Sequence, residues 1–470
     1  MVGCFKKGMK KKILSLWLAT ALVLTGCGDK GQDVENPAPS VTPQTQDNDT
    51  NTEDNQQNDT EKNNNDSKDN EQNDTEKDNN DSKDNEQNDT EKDNNDSKDN
   101  ENKTEDDKKE EQNSLKNPQV MRDITTMELV QDMELGINLG NTFESAGFSA
   151  MTVTAYETAW GSPVITPKII EGYVECGFSV LRIPVAWSNL MGKDYTINEK
   201  YLTRVKSVVD CALNAGLYVI LNIHWDGGWW TGFAVPEEKD ECMYKYERIW
   251  TQLTEAFRDY GDYLMFEALN EEGCWDTIWN RWGGPEGKDV AFGLLNEINQ
   301  KFVDIVRASG GNNEQRHLLI AGYATDIGWT CDEFFKMPND PAGRMAVSVH
   351  YYTPSTFAIL EQDAEWGKVQ TNWGTDAEYE ELNRNMDMMK EHFVDKGIPV
   401  IIGEYGSATR GKEEGAVKRF LTAVCEAAYT RGMCPVLWDI TDVFYNRTKA
   451  EFIDKDLLEG LMAIKGMERK

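Results

Sequence analysis

Residues 119–470 are expected to fold as an α/β domain, a closed (β/α)8 barrel. Three observations predict it. Strand-like and helix-like segments alternate along the whole stretch, the pattern of a parallel sheet with crossover helices. The alternation completes eight βα units in about 350 residues, a length that suits one such barrel. Two apolar runs, Tyr263 to Leu269 and Pro399 to Gly403, each lead into a carboxylate, Glu271 and Glu404. A buried strand whose C-terminal end opens onto a cleft has this shape, and a carboxylate there is costly unless it is bonded or has work to do.

The elements of the expected TIM barrel follow in order. Gly136 to Asn141 reads as strand one and Thr166 to Cys176 as its helix. Phe178 to Pro184 is strand two, followed by a helix over Asn198 to Ala215, where Leu202, Val205, Val208, Val209 and Leu213 fall at helical spacing. Tyr218 to His224 is strand three, and Glu237 to Tyr260 a long amphipathic helix. Leu264 to Asn270 is strand four, with a helix over Leu294 to Ser309. His317 to Ala321 is strand five, and Met345 to Tyr351 strand six, with a helix ending near Lys396. Val400 to Gly403 is strand seven, then a helix over Gly415 to Arg431. Pro435 to Trp438 is strand eight, and Leu457 to Ile464 the last helix.

Two segments precede the barrel. Residues 1–27 read as an export signal, with Lys6, Lys7, Lys10, Lys11 and Lys12 before an apolar stretch from Ile13 to Leu24 that is short for a membrane span. Leu24-Thr25-Gly26-Cys27 resembles a bacterial lipobox, which implies cleavage before Cys27 and a lipid on its sulfur. Residues 28–118 are rich in Asp, Asn, Glu, Lys, Gln, Ser and Thr and are expected to remain a disordered acidic linker. Inside it a 15-residue unit starts at Asn58, Asn73 and Asn88; lacking a hydrophobic face, it reads as a solvated spacer. Together these segments describe an exported, cell-surface lipoprotein that meets the membrane through its lipid alone.

The formal net charge is −34; the signal carries +5 and residues 28–118 carry −18, which leaves −21 on the barrel. That balance argues against nucleic acid as a partner. A monomer is expected. The seven cysteines after residue 118 (Cys176, Cys211, Cys242, Cys274, Cys331, Cys425 and Cys434) show no CxxC spacing and suggest no zinc ribbon. Several read as small buried hydrophobes, with bridging left open.

In a barrel of this kind the active site lies at the C-terminal strand ends. There the sequence places Asn138 and Asn141, Arg182, His224 and Trp225, Asn270 and Glu271, His350 with Tyr351 and Tyr352, Glu404 and Tyr405, and Trp438 and Asp439. Two glutamates on two strands suit the acid and the nucleophile of a glycosidase. No His-x-His pair at strand one and no Asp/His cluster supports a metal, so neither metal nor cofactor is expected. His317 and His392 read as structural.

Seven stretches in order, Asn138-Leu139-Gly140-Asn141-Thr142, Arg182-Ile183-Pro184, His224, Leu269-Asn270-Glu271, His350-Tyr351-Tyr352, Gly403-Glu404-Tyr405-Gly406 and Trp438-Asp439, resemble glycoside hydrolase family 5 over essentially all of residues 119–470. Thr158 to Pro163, and Gly310-Gly311-Asn312-Asn313 with Arg316, look like its subfamily 4. The chain departs from the pattern in three places. Glu272 stands where the family has Pro, Trp225 where it often has a second His, and Ser162 where the subfamily has Asn. The resemblance implies a retaining endo-β-1,4-glucanase, acting on cellulose, mixed-linkage β-glucan and xyloglucan. Glu271 would be the acid/base and Glu404 the nucleophile. Asn141, Arg182, His224, Asn270, His350, Tyr352 and Trp438 would bind substrate, with Trp438 as the stacking platform. Arg182 and Tyr352 are expected to favour ionised Glu404, and an opposing negative charge with an apolar wall to keep Glu271 protonated. The rival readings are a mannan or xylan hydrolase and a catalytically dead surface glycan-binding protein.

Overall fold

The computed structural model describes residues 120–273, 275–281 and 284–469. The signal, the Cys27 lipidation site and the acidic linker lie outside these residues. The barrel closes as expected. Strands β1 (Gly136–Asn138), β2 (Val180–Ile183), β3 (Tyr218–Asn222), β4 (Leu264–Glu267), β5 (Leu318–Ala321), β6 (Met345–Tyr351), β7 (Val400–Tyr405) and β8 (Cys434–Leu437) pair in chain order, and β8 returns to β1. The β1–β8 pair is parallel like the β1–β2 pair, with Ile137 beside Leu437 and Leu181. Almost every strand residue is buried on both faces, which is why the strands read as continuous apolar runs. Gly136 has a packing reason to be glycine: a Cβ there would sit 2.9 Å from Val180 and Val436 side-chain carbons.

The helices start where side chains can cap them. Asn198 caps Glu199–Asn214, Pro167 opens Pro167–Glu175, and Thr375 with Glu378 forms a capping box on Asp376–His392. Three differences from the expected elements stand out. A helix over Thr126–Met133, itself started by a Thr125/Glu128 capping box, precedes β1; its Thr126 Oγ1 lies 2.8 Å from His317 Nδ1, a structural partnership for that histidine. After β5 there is only a four-residue helix, Ile327–Thr330. A two-stranded hairpin, β9 (Tyr445–Asn446) with β10 (Glu451–Phe452), separates β8 from the last helix, Lys455–Ile464. Two-residue strands carry too little periodicity to be read from sequence. Among the described residues the cysteines are free thiols, and no helix is long and apolar enough to cross a membrane; Cys274 lies outside them.

The Gly310–Arg316 stretch acts as a clamp. Fully buried Arg316 donates to the carbonyls of Phe257, Tyr260, Gly261 and Leu264 and to Asn313 Oδ1, at 2.8–3.1 Å. Asn313 Nδ2 reaches the Thr254 carbonyl, and Asn312 Nδ2 those of Asp259 and Tyr260. The end of the helix Lys239–Ala256 is thereby tied to the start of β4. Arg316→Met leaves several buried carbonyls unpaired, and an expected loss of about 3–5 kcal/mol follows. Thermal or denaturant unfolding checks it; a variant as stable as wild type would contradict the clamp.

Candidate active site

The C-terminal mouth of the barrel opens into a cleft lined by Asn141, Glu144, Trp160, His224, Trp225, Trp230, Asn270, Glu271, Glu272, Tyr352, Glu404 and Trp438, with further residues from the loops after β6, β7 and β8. At its floor lies Arg182, completely buried on β2. Its Nε donates to Glu267 Oε2 at 2.7 Å and its Nη1 to Glu404 Oε1 at 2.8 Å and Asn138 Oδ1 at 3.0 Å. Its Nη2 donates to Asn270 Oδ1 at 2.8 Å. One guanidinium therefore orients groups from β1, β4, β7 and the loop after β4. A bulge aids the alignment: the β6–β7 register slips between Val349 and His350, and His350 then faces Glu404 directly.

His350 joins the two carboxyls. Its Nδ1 is 2.7 Å from Glu271 Oε1 and 3.7 Å from Glu404 Oε2. Glu404 Oε2 also accepts from the Tyr352 hydroxyl at 3.0 Å. One oxygen of Glu271 and one of Glu404 lie within 4.8 Å of each other. That closeness matches the retaining arrangement of about 5–5.5 Å between carboxyls and falls short of the inverting one of about 6.5–9.5 Å.

Burial sets the protonation states. It pushes Glu271 up to about 7, against the lowering effect of Arg182 and with a small upward contribution from Glu267. Glu267, a residue the sequence reading passed over, supplies negative charge beside it, and Glu271 and Glu404 also repel one another, since Glu271 raises Glu404. Glu404 departs from expectation: burial raises it too, although His350 and Arg182 pull it down. Arg182 and His350 favour its ionised form as a tendency, yet removal from water outweighs them. His224 and His350 are both held neutral by burial, His350 down to about 4.

The remaining expected residues fall as follows. Asn270 and His224 line the cleft, with His224 parallel to the Trp438 ring at 5.8 Å. Trp438 is half-buried, and Gly140 makes room for it, since a Cβ there would sit 3.0 Å from the indole. Asn141 also lines the cleft, with left-handed backbone (φ 56°) and its N–H on Glu144, but it does not touch Arg182; Asn138 does. Trp160 of the subfamily-like stretch faces the cleft, while Ser162 accepts from Arg447 at 3.0 Å. Asp226 was not legible. It accepts from the Ser188 N–H and hydroxyl and from Trp229 Nε1, and so fixes the turn that presents Trp225 and Trp230. Of the other tryptophans, Trp275, Trp279 and Trp373 are buried, and Trp282 lies outside the described residues.

The family model of Cellulase (glycosyl hydrolase family 5) matches residues 142–443. The chain belongs to glycosyl hydrolase family 5. It is similar to endoglucanase A of Paenibacillus barcinonensis, 34% identical over 348 residues that cover 68% of this chain and 83% of the relative. It is likewise similar to a xyloglucan-specific endo-beta-1,4-glucanase of Bacteroides ovatus, 33% identical over 350 residues, 70% of this chain and 68% of that protein. Among solved structures, a GH5-4 broad specificity endoglucanase from an uncultured bovine rumen ciliate matches with a TM-score of 0.66 and 34% identity, over 73% of this chain and 98% of the other.

In this family-5 hydrolase Glu272 is the rival carboxyl. Its side chain is fully buried, and among the described residues no side chain bonds to either of its oxygens. Burial drives it well above the usual carboxylate range, so it sits in the wall as a neutral acid. Glu271, bonded to His350, is the carboxyl placed for chemistry. Glu272→Gln substitutes one neutral group for another of the same shape and is expected to keep kcat/KM within about fivefold, whereas Glu271→Gln removes a proton donor worth about 10²–10⁴. Steady-state kinetics on both variants checks this; the reverse ranking would reassign the acid.

Proposed function

We propose that this chain is a retaining endo-β-1,4-glucanase that acts on β-glucan backbones, with Glu404 as nucleophile and Glu271 as acid/base. The observation that carries the reading is the pair of buried carboxyls joined through His350, one of them also bonded to Arg182. In the first step Glu404 forms a bond to the anomeric carbon as Glu271 gives its proton to the departing glycosidic oxygen. Both oxygens of Glu404 are bonded, to Arg182 and Tyr352, so its attack starts from one orientation. In the second step Glu271, now ionised, takes a proton from water, whose oxygen displaces Glu404 from the sugar. Esterified Glu404 carries no charge, which helps Glu271 accept the ionised state.

Asn270 serves the same transition state. Arg182 occupies its Oδ1, so its amide hydrogens face the cleft and suit the sugar hydroxyl beside the reacting carbon. Trp438 supplies an indole face against which the apolar face of a sugar ring stacks. An open groove with Trp160, Trp225 and Trp230 along its wall favours binding within a chain rather than at its end. The endoglucanase and xyloglucanase names of the relatives support a β-1,4-glucan backbone. The export signal and lipobox-like Cys27 support a surface-anchored enzyme, and a Cys27→Ser chain is expected to leave the membrane fraction.

Two outcomes test the proposal. Reducing-sugar release and viscosity loss are to be followed on carboxymethylcellulose, mixed-linkage β-glucan, xyloglucan, xylan and mannan. Rapid viscosity loss on the glucans, abolished at least about 10³-fold in Glu404→Gln, is the expected result. Cleavage of mannan or xylan alone would overturn the substrate class. Because Glu271 must hold its proton, kcat/KM is expected to fall as pH rises through about 7, the value to which burial brings that group. A profile flat to pH 9 would contradict the assignment.

A further inference from the structure

The floor of the cleft holds three groups that can each offer a lone pair to a cation: Glu271, His350 and Glu404, all buried. One atom from each can be chosen so that all lie within 4.8 Å of one another. The observed separations of 2.7 Å and 3.7 Å from His350 Nδ1 to the two carboxylates bracket what a small ion requires. A tetrahedral ion about 2.0–2.2 Å from nitrogen and oxygen ligands sets neighbouring ligands roughly 3.3–3.5 Å apart. That spacing requires the two carboxyl groups to rotate as the ion enters. The imidazole has freedom to meet the ion, because its other nitrogen, Nε2, is buried without a hydrogen-bond partner. The cationic neighbour is already shared: Arg182 is held at 2.7 Å by Glu267 as well as at 2.8 Å by Glu404. Its positive charge is therefore not directed at the trio alone.

We propose that Glu271, His350 and Glu404 also form an inhibitory site for a borderline divalent transition ion, Zn²⁺ or Cu²⁺, which binds in place of substrate. The donor set of one imidazole nitrogen and two carboxylate oxygens selects the class. Zn²⁺ and Cu²⁺ accept nitrogen with oxygen in small coordination shells, and Cu²⁺ binds the tighter. Mg²⁺ and Ca²⁺ prefer all-oxygen shells of six or more ligands, which this trio does not offer. An ion held here fastens both carboxyls together over the spot where the anomeric carbon would sit. Exclusion of sugar and loss of activity are the same event. The inference rests on the geometry of the three side chains and stands whether or not the substrate assignment is right.

The test is calorimetric titration of ZnCl₂ into the full-length enzyme after alkylation of its exposed thiols. Among the described residues the partly exposed Cys176, Cys211, Cys242 and Cys331 are the competing thiols that this step removes. One ion per chain is expected, released by EDTA, with MgCl₂ giving no heat of binding. His350→Gln and Glu404→Gln are each expected to weaken Zn²⁺ at least about tenfold. In wild type, cellotetraose and Zn²⁺ are expected to displace one another, a readout that needs no variant. In kinetics Zn²⁺ raises the apparent KM roughly tenfold at ten times its inhibition constant and leaves kcat unchanged. Equal Zn²⁺ affinity in wild type and His350→Gln would overturn the proposal. So would inhibition that lowers kcat at constant KM, which places the ion elsewhere. An enzyme that binds Zn²⁺ as described yet cuts no glucan would overturn the substrate reading and leave this one standing.

Discussion

The four-armed contact of Arg182 is the interaction on which the site depends. A guanidinium removed entirely from water needs its charge compensated and its nitrogens bonded, and here all three nitrogens are, to Glu267, Glu404, Asn138 and Asn270. The matches come from β1, from β7 and from β4 with the loop that follows it. The cation therefore converts a closed sheet of apolar strands into a fixed arrangement of polar tips. Removing either glutamate leaves a buried charge with half its compensation, so folding and catalysis share this contact. Asn138 extends the network by donating from its Nδ2 to the Gly403 carbonyl, next to Glu404. Ser348 does so by donating to the second oxygen of Glu267 at 2.9 Å.

The division of labour between the two carboxyls follows from their surroundings rather than from their chemistry. Both are buried, and burial alone would keep both protonated. Glu404 differs in the company it keeps: a guanidinium and a phenol bonded to its two oxygens favour its ionised form. Glu271 is hydrogen-bonded to the imidazole alone, and burial, aided by Glu267 and opposed by Arg182, holds its proton to about 7. Glu272, one residue on, has no side-chain partner among the described residues, and burial drives it well above the usual carboxylate range. Three carboxyls at the C-terminal ends of β4 and β7 thus take three roles by environment.

The sequence carried the barrel and the positions of the two facing carboxyls because both leave strong local marks. Continuous β-branched runs such as Pro399 to Ile402 announce buried strands, and a carboxylate after such a run has no bland explanation. His224, Asn270, Tyr352 and Trp438 line the cleft, and Arg182 and His350 are buried beneath it against Glu404 and Glu271. What stayed hidden depends on long-range pairing. Glu267 lies mid-run in the same apolar stretch as Glu271, and only the buried guanidinium across the barrel explains it. Asn138 and Asn141 are both asparagines near one strand end, and the twist of a few backbone residues decides which meets Arg182. Asp226 acts through a left-handed backbone turn, φ 47°, that no periodicity foretells. The net rise of Glu404 was missed because hydrogen bonds can be guessed from residue types, while the depth of burial that outweighs them cannot.

The central claim is that Glu404 bonds covalently to the sugar while Glu271 handles the proton. The most direct test is to trap that bond. An activated 2-deoxy-2-fluoro cello-oligosaccharide slows the second step more than the first, so the glycosyl-enzyme accumulates. Mass spectrometry of the digested enzyme should then find one sugar adduct, on the peptide that contains Glu404, and natural substrate should give product of retained anomeric configuration. An adduct on Glu271 or Glu272, or inverted product with no adduct, would contradict the account.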